Sequence, residues 1–348
     1  MKTTCLSFII LPLLLYSCVQ KDSKKVLDNP VPRLQSGLTE DTACLLSQVA
    51  YCTDIPAALD QYMPGWSLVW EAAELNGNHA FVAGNGREYA LAIRGSLINF
   101  SWAAFQNWIY QDLHVSVQEK WPFSADSTTA RVSEGAYTGW ENLCKMQDRR
   151  TGQLLLPFLD SLVTAGAPLL ITGHSLGGNL AAVYGSYLWQ ALQEKGRKNF
   201  HLNVISFAAP AAGNAAFAAD FNKKFPGSVR VENQYDIVPK FPTASGIRSL
   251  GELYNDSLPA GDIEVGYKNL RIPLPKLFTL LNTGLTVLEF TSGLSPYEQT
   301  NGNGTQIKVP LSGKYPGREV LNWLNEAGYQ HSIERYALYE KVAVISCN

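Results

Sequence analysis

The stretch that most narrows what this chain can become is "PLLITGHSLGGNLAAVYGSYLWQALQEK", residues 168–195. A continuous apolar run enters it, three glycines bracket a His-Ser pair, and an alanine-rich amphipathic tail leaves it. An apolar run of this length with no alternation is expected of a central strand covered on both faces. The tail is expected to be a helix ending near Gly196. A serine on the turn between them needs a strained backbone, and side chains two residues to either side would collide with the neighbouring segments. Those two positions therefore have to be glycine, and here they are Gly173 and Gly177. A G-x-S-x-G match alone is cheap, since chance supplies one in roughly a tenth of chains this long at average glycine usage. The strand before and the helix after are what give it weight. Ser175 is accordingly the candidate nucleophile.

A serine hydroxyl is a weak nucleophile at neutral pH and needs a base. On a sheet with this elbow the partners follow in the order serine, acid, histidine. The chain has five histidines, at 79, 114, 174, 201 and 331. His174 lies inside the elbow and is expected to pack there, and His201 comes too early. His331 remains as the base. The acid is expected at the carboxyl end of a later strand. Asp236, after the strand-like "VRVENQY" and before the loop "IVPKFP", is favoured over Glu232, Asp256 and Asp262. Two donors should hold the oxyanion: the backbone N–H of Leu176, and Ser96 in "AIRGS" after an earlier strand. The chemistry is acyl transfer to water and requires no metal or organic cofactor. No C-x-x-C pair argues for zinc.

Elsewhere, "LTEDTACLLSQVAYC" reads as a helix capped by Thr39, and residues 79–96 read as two strands around a Gly-Asn-Gly turn. "NVISFAAP" and "SVRVENQYD" read as further strands, with the helical "AAFAADFNKKF" between them. The expectation is a single α/β domain, a mostly parallel central sheet flanked by helices. Two segments break the rhythm. Residues 97–106 carry Leu97, Ile98, Phe100, Trp102 and Phe105. Residues 274–290 set Leu277, Phe278, Leu281, Leu285 and Leu288 against a polar stripe. The second is either a helix packed on the sheet, or a second flap or membrane-contacting surface.

The N-terminus has its own character. "MKTTCLSFIILPLLLYSC" has one lysine, then an apolar run shorter than a bilayer needs, which suits a signal peptide. "LYSC" resembles the lipobox of bacterial lipoproteins, and that resemblance implies removal of residues 1–17, lipidation at Cys18 and a tether over 18–37. The folded domain is then expected over 38–348, with an insertion around 250–315. An exported lipoprotein, anchored at the outer membrane or cell surface, is the localisation this implies. The formal net charge is −2, with 28 basic and 30 acidic residues, so no basic excess points to nucleic acid.

Taken in order, "IRGS", "NWIYQDL", "TGHSLGGNLAAV", "SFAAPAAGN", "DIVPKFP" and "YQHSIERY" resemble the blocks of the class 3 lipases. The resemblance covers about residues 40–245 and resumes near 325. It implies an α/β-hydrolase fold, a Ser175–Asp236–His331 triad, an oxyanion hole at Ser96 and Leu176, and a lid at 97–106. It also implies that the first helix is tied to the chain end, suggesting a Cys44–Cys347 disulfide. The substrate it implies is an acylglycerol-type ester. A carboxylesterase for soluble or glycan-linked esters, a phospholipase A1, and a non-enzymatic lipid- or glycan-binding lipoprotein are the alternatives. One departure stands out: Ser133 in "SEGAY" occupies the place of the family's usual histidine.

Overall fold

The computed structural model describes residues 37–96, 115–255, 258–267, 270–292, 294–301, 304–315 and 317–347. The expected signal peptide, Cys18, the tether up to residue 36, the 97–106 segment, His114 and Asp256 lie outside them.

In chain order the first elements are α1 (Glu40–Val49), α2 (Ile55–Tyr62), β1 (Ser67–Glu71), β2 (Ala80–Gly84), β3 (Tyr89–Ile93), β4 (Gln118–Lys120), β5 (Arg131–Ser133), α3 (Glu134–Lys145) and α4 (Leu155–Thr164). There follow β6 (Leu169–His174), α5 (Leu176–Glu194), β7 (Leu202–Phe207), β8 (Gly213–Asn214), α6 (Ala215–Lys224) and β9 (Val229–Asn233). The last stretch holds α7 (Ala244–Ser249), β10 (Glu264–Tyr267), β11 (Leu270–Pro273), α8 (Leu274–Ser292), β12 (Tyr297–Glu298), β13 (Thr305–Ile307), α9 (Val320–His331) and α10 (Ile333–Glu340).

Seven strands make the main sheet in the order β1-β2-β3-β6-β7-β9-β13. β1, β2 and β3 are antiparallel neighbours, and from β3 to β13 every pairing is parallel. This is the mostly parallel sheet with flanking helices that the alternation of patterns predicts. Both faces are covered, which is why β6 reads as an unbroken apolar run. Leu170 faces a layer formed with α1 and α10, where Leu46, Val49 and Tyr336 are buried. Leu169 and Ile171 face the opposite layer, with Leu143, Leu159, Leu180 and Leu188 from α3, α4 and α5. Full burial of one such side chain contributes about 1.5–3 kcal/mol, so two loaded faces fix the register of β6 and with it the position of Ser175.

The 250–315 region is woven into the same body. β13 closes the edge of the main sheet against β9, and β12 pairs with β8 in a second sheet of four strands. α8 starts in a separate core cluster, where Leu274 and Phe278 are buried beside Tyr254 and Trp323. Further along, Leu280 and Val287 are exposed at 51% and 53%. The predicted stripe packs on that cluster through Phe278, Leu277 and Leu281, while Leu280 and Val287 lie off the stripe. Among the described residues no helix is long and apolar enough to cross a membrane.

The disulfide pairs Cys52, not Cys44, with Cys347. Cys44 lies on the inner face of α1 with no exposure, among the core residues, and burial pushes its thiol well above the ordinary cysteine range. Cys52 lies past the helix end, where a sulfur can meet the chain terminus. Ser133, in place of the family's histidine, caps α3: its hydroxyl accepts the Ala136 N–H at 3.2 Å.

Candidate active site

Ser175 sits between β6 and α5 with φ 59° and ψ −128°, a left-handed conformation that costs a non-glycine residue about 1–3 kcal/mol. Packing holds it there. A Cβ on Gly177 would come within 2.9 Å of the Arg94 carbonyl carbon and closer still to the Ile93 carbonyl oxygen. A Cβ on Gly173 would meet the Gly177 backbone and stand 2.7 Å from the same Ile93 oxygen. The two glycines let α5 start directly on β3 and β6. Leu176 is the first helical residue, so its N–H has no acceptor within the helix. The helix N-terminus also adds positive partial charge at this point.

Ser175, His331 and Asp236 are brought together by elements remote in sequence. His331 is the last residue of α9, and its Nε2 lies 2.9 Å from Ser175 Oγ. Its Nδ1 lies 2.8 Å and 3.1 Å from the two carboxyl oxygens of Asp236, which is fully buried in the turn after β9. The Val238 N–H and the Tyr336 hydroxyl also donate to Asp236, at 2.9 Å and 2.7 Å. Three donors converge on this carboxyl group, so it acts as an acceptor and His331 Nδ1 carries its hydrogen. That leaves Nε2 free to accept from the Ser175 hydroxyl.

The rival acids are engaged elsewhere. Glu232 pairs with Arg230, and Asp262 lies 3.3 Å from Arg318. Among the other histidines, His79 pairs with Glu71 at 3.3 Å and His201 is exposed.

A second layer of polar groups supports this line, and the sequence reading missed it. Tyr336 accepts the Asn233 N–H at 3.1 Å while donating to Asp236. Its burial, followed by the charge of Asp236, raises its pKa well above the ordinary tyrosine value, so it stays a donor. The Asn233 side chain donates to the carbonyl and side-chain oxygens of Gln330 at 3.0 Å and 2.7 Å. Gln330 in turn donates to Glu326 at 2.8 Å. Beside the elbow, His174 is more than a packing residue. Its Nε2 lies 2.8 Å from the His331 carbonyl oxygen, which can only accept, so Nε2 is the protonated nitrogen. Burial, and then the nearby His331, lowers its pKa well below the usual imidazole value. It is therefore neutral, and its Nδ1 accepts the Tyr51 hydroxyl at 2.9 Å. The only hint of this layer in the sequence is that Gln330 and Tyr336 flank His331 in "YQHSIERY".

Ser96 follows Gly95 in the loop after β3. A Cβ on Gly95 would stand 3.2 Å from Ser175 Cβ, so this loop passes against the elbow. Ser96 and His331 line a common cavity of about 700 Å³.

Residues 90–246 match the class 3 lipase family, a span that contains the elbow, Ser96 and Asp236. Over that span the chain is similar to the class 3 lipases. His331 lies beyond the matched span. Among relatives of known identity, phospholipase A1-Igamma2 of the Arabidopsis thaliana chloroplast is 26% identical over 168 residues. That alignment takes in 45% of this chain and 31% of the relative, so the chain spans about a third of the length of the curated protein it matches. Among solved structures, M37 lipase superposes with a TM-score of 0.67 at 22% identity, covering 86% of this chain and 92% of that one. A lipase from Rhizopus microsporus var. chinensis superposes with a TM-score of 0.47 at 22% identity, covering 59% and 69%. The first of these likenesses shows that the chain shares the fold of M37 lipase.

Proposed function

We propose that this protein is a serine ester hydrolase of the lipase type. The observation that carries the reading is the hydrogen-bonded line from Ser175 through His331 to Asp236, resting on a strained strand-to-helix elbow. His331 takes the Ser175 proton as the hydroxyl attacks the ester carbonyl. The tetrahedral oxyanion rests on the Leu176 N–H and on Ser96. The alcohol leaves with the proton that His331 returns, and water hydrolyses the acyl-enzyme by the same steps. An acylglycerol-type ester is the substrate that the match to the class 3 lipase family favours. A phospholipase A1 activity is the second reading, supported by the identity to the chloroplast relative. The lipobox-like "LYSC" supports export with a lipid on Cys18, which would hold the domain at a membrane surface.

The test is labelling and turnover together. A fluorophosphonate should label the wild type at Ser175 and leave Ser175→Ala unlabelled. Nitrophenyl esters of graded chain length should be hydrolysed by the wild type, with turnover in Ser175→Ala lower by about 10⁴-fold or more. Labelling at another residue, or equal turnover in the variant, ends the reading.

A further inference from the structure

The cavity shared by Ser96 and His331 has a composition that bears on which ester the centre accepts. In ester hydrolysis the group that protonates the leaving oxygen faces the alcohol, so the alcohol moiety lies on the imidazole side of the nucleophile. His331 and residues just after it, Ser332 and Glu334, line this cavity. Ser346 on the C-terminal tail lines it too. The tail is fixed by two hydrogen bonds from Gln48: its side chain donates to the Ala343 carbonyl at 3.0 Å and accepts the Ile345 N–H at 2.9 Å. The Cys52–Cys347 disulfide fixes its end. At about 700 Å³ the volume is that of a small-molecule site.

The lining offers hydroxyls and one carboxylate, and among the described residues lining it there is neither lysine nor arginine. Residues 97–114, which follow Ser96 in the chain, contain no lysine or arginine either. A phosphate placed here would face the Glu334 carboxylate with no cation in the described lining to balance it, since Arg94, near enough to act on Tyr51, is already paired with Glu74, whereas free hydroxyls can donate to that carboxylate and exchange hydrogen bonds with the serines.

We propose that this cavity is the site for the alcohol part of the ester, and that Glu334 and the tail select a neutral alcohol still carrying free hydroxyls over one carrying phosphate. A partially acylated glycerol or a sugar ester fits that description. The inference rests on the hydrolase reading above and adds the identity of the leaving group.

Three octanoate esters below their aggregation limits test it: ethyl octanoate, monooctanoylglycerol and monooctanoylglycerol phosphate. Wild-type kcat/KM should be highest on monooctanoylglycerol. Glu334→Gln should lower the ratio of the glycerol to the ethyl ester by about fivefold, because donors to the carboxylate lose an ionised partner. Glu334→Lys should raise the ratio of the phosphate to the glycerol ester by about tenfold, an effect that added salt weakens. Ser346→Lys, exposed on the tail and on a different element, should move that ratio the same way. The ethyl ester divides out damage to folding or to the hydrolytic centre. If the two lysine variants hydrolyse ethyl octanoate and leave the phosphate preference unmoved, the assignment of the cavity falls and the hydrolase reading stands. If the wild type hydrolyses none of the three, both fall.

Discussion

The two sides of the hydrolytic centre are built in opposite ways. The serine side is backbone: one strand, one turn and one helix within residues 169–194, held by close approach at Gly173 and Gly177. The histidine side is side-chain chemistry, gathered from β9, the turn after it, α9 and α10, with Asn233, Asp236, Gln330 and Tyr336 bonded to one another in the interior. Steric fit leaves the first side no intermediate state. The second is a network whose members can be removed one at a time, so its losses should be graded.

The sharpest way to break this contrast is Gly177→Ala. One methyl group there is driven into the Ile93 carbonyl and the Arg94 backbone, which cannot shift without parting α5 from β3. The cost should exceed about 3 kcal/mol, at the upper end for overpacking. Turnover should fall below detection, with a clear drop in Tm on thermal unfolding. A variant that kept near-normal activity would show that the elbow is adaptable.

On the other side, Tyr336→Phe keeps the ring and removes the hydroxyl that joins Asn233 to Asp236. Two buried groups each lose a partner, a loss of about 1–3 kcal/mol. The expectation is a fall of about tenfold or more in kcat with KM little changed, because the residue orients the acid without touching substrate. An unchanged kcat would mean that the Val238 N–H and His331 position Asp236 unaided.

The smallest effect is expected at the far end of α10. Burial, reinforced by Glu40 and Asp41, raises the Glu340 carboxyl from 4.5 to about 7. A raised acid pKa means the folded protein binds the proton more tightly than the unfolded chain. Stability should therefore fall as pH rises from about 4.5 through about 7. Glu340→Gln should remove that slope and be the more stable protein at pH 8. With the site only half-buried and screened, the gain should be about 1 kcal/mol, and there should be little difference near pH 4. Denaturant unfolding at the two pH values measures it. A slope that survives the substitution would place the proton on another group.

The same contrast explains what could be read from the residues alone. β6, the elbow and α5 are legible because their determinants lie within a few positions of one another: an apolar run, two glycines and an amphipathic tail. Asp236 and His331 could be singled out by chain order, though only the fold shows that Glu232 and Asp262 are tied to arginines instead. Nothing local marks Asn233 or Tyr336. An asparagine at the end of a strand and a tyrosine on an amphipathic helix are common, and their meeting depends on how α9 and α10 dock 97 and 100 positions away from their partners. The disulfide was illegible for a related reason. Cys44 and Cys52 stand eight residues apart, and only the packing of α1 shows which sulfur faces the core. The placement of β13 at the sheet edge also escaped the pattern, because a strand of three residues carries no usable alternation.

Residues 342–347 follow α10 without regular secondary structure, yet four of them, 344–347, line the cavity beside His331. Because that part of the lining is a pinned ribbon outside the sheet and helices, its side chains can be exchanged without disturbing a strand register or a helix face. A lineage of such proteins could therefore change which alcohol it releases through a handful of tail substitutions, leaving the machinery that breaks the ester bond as it is.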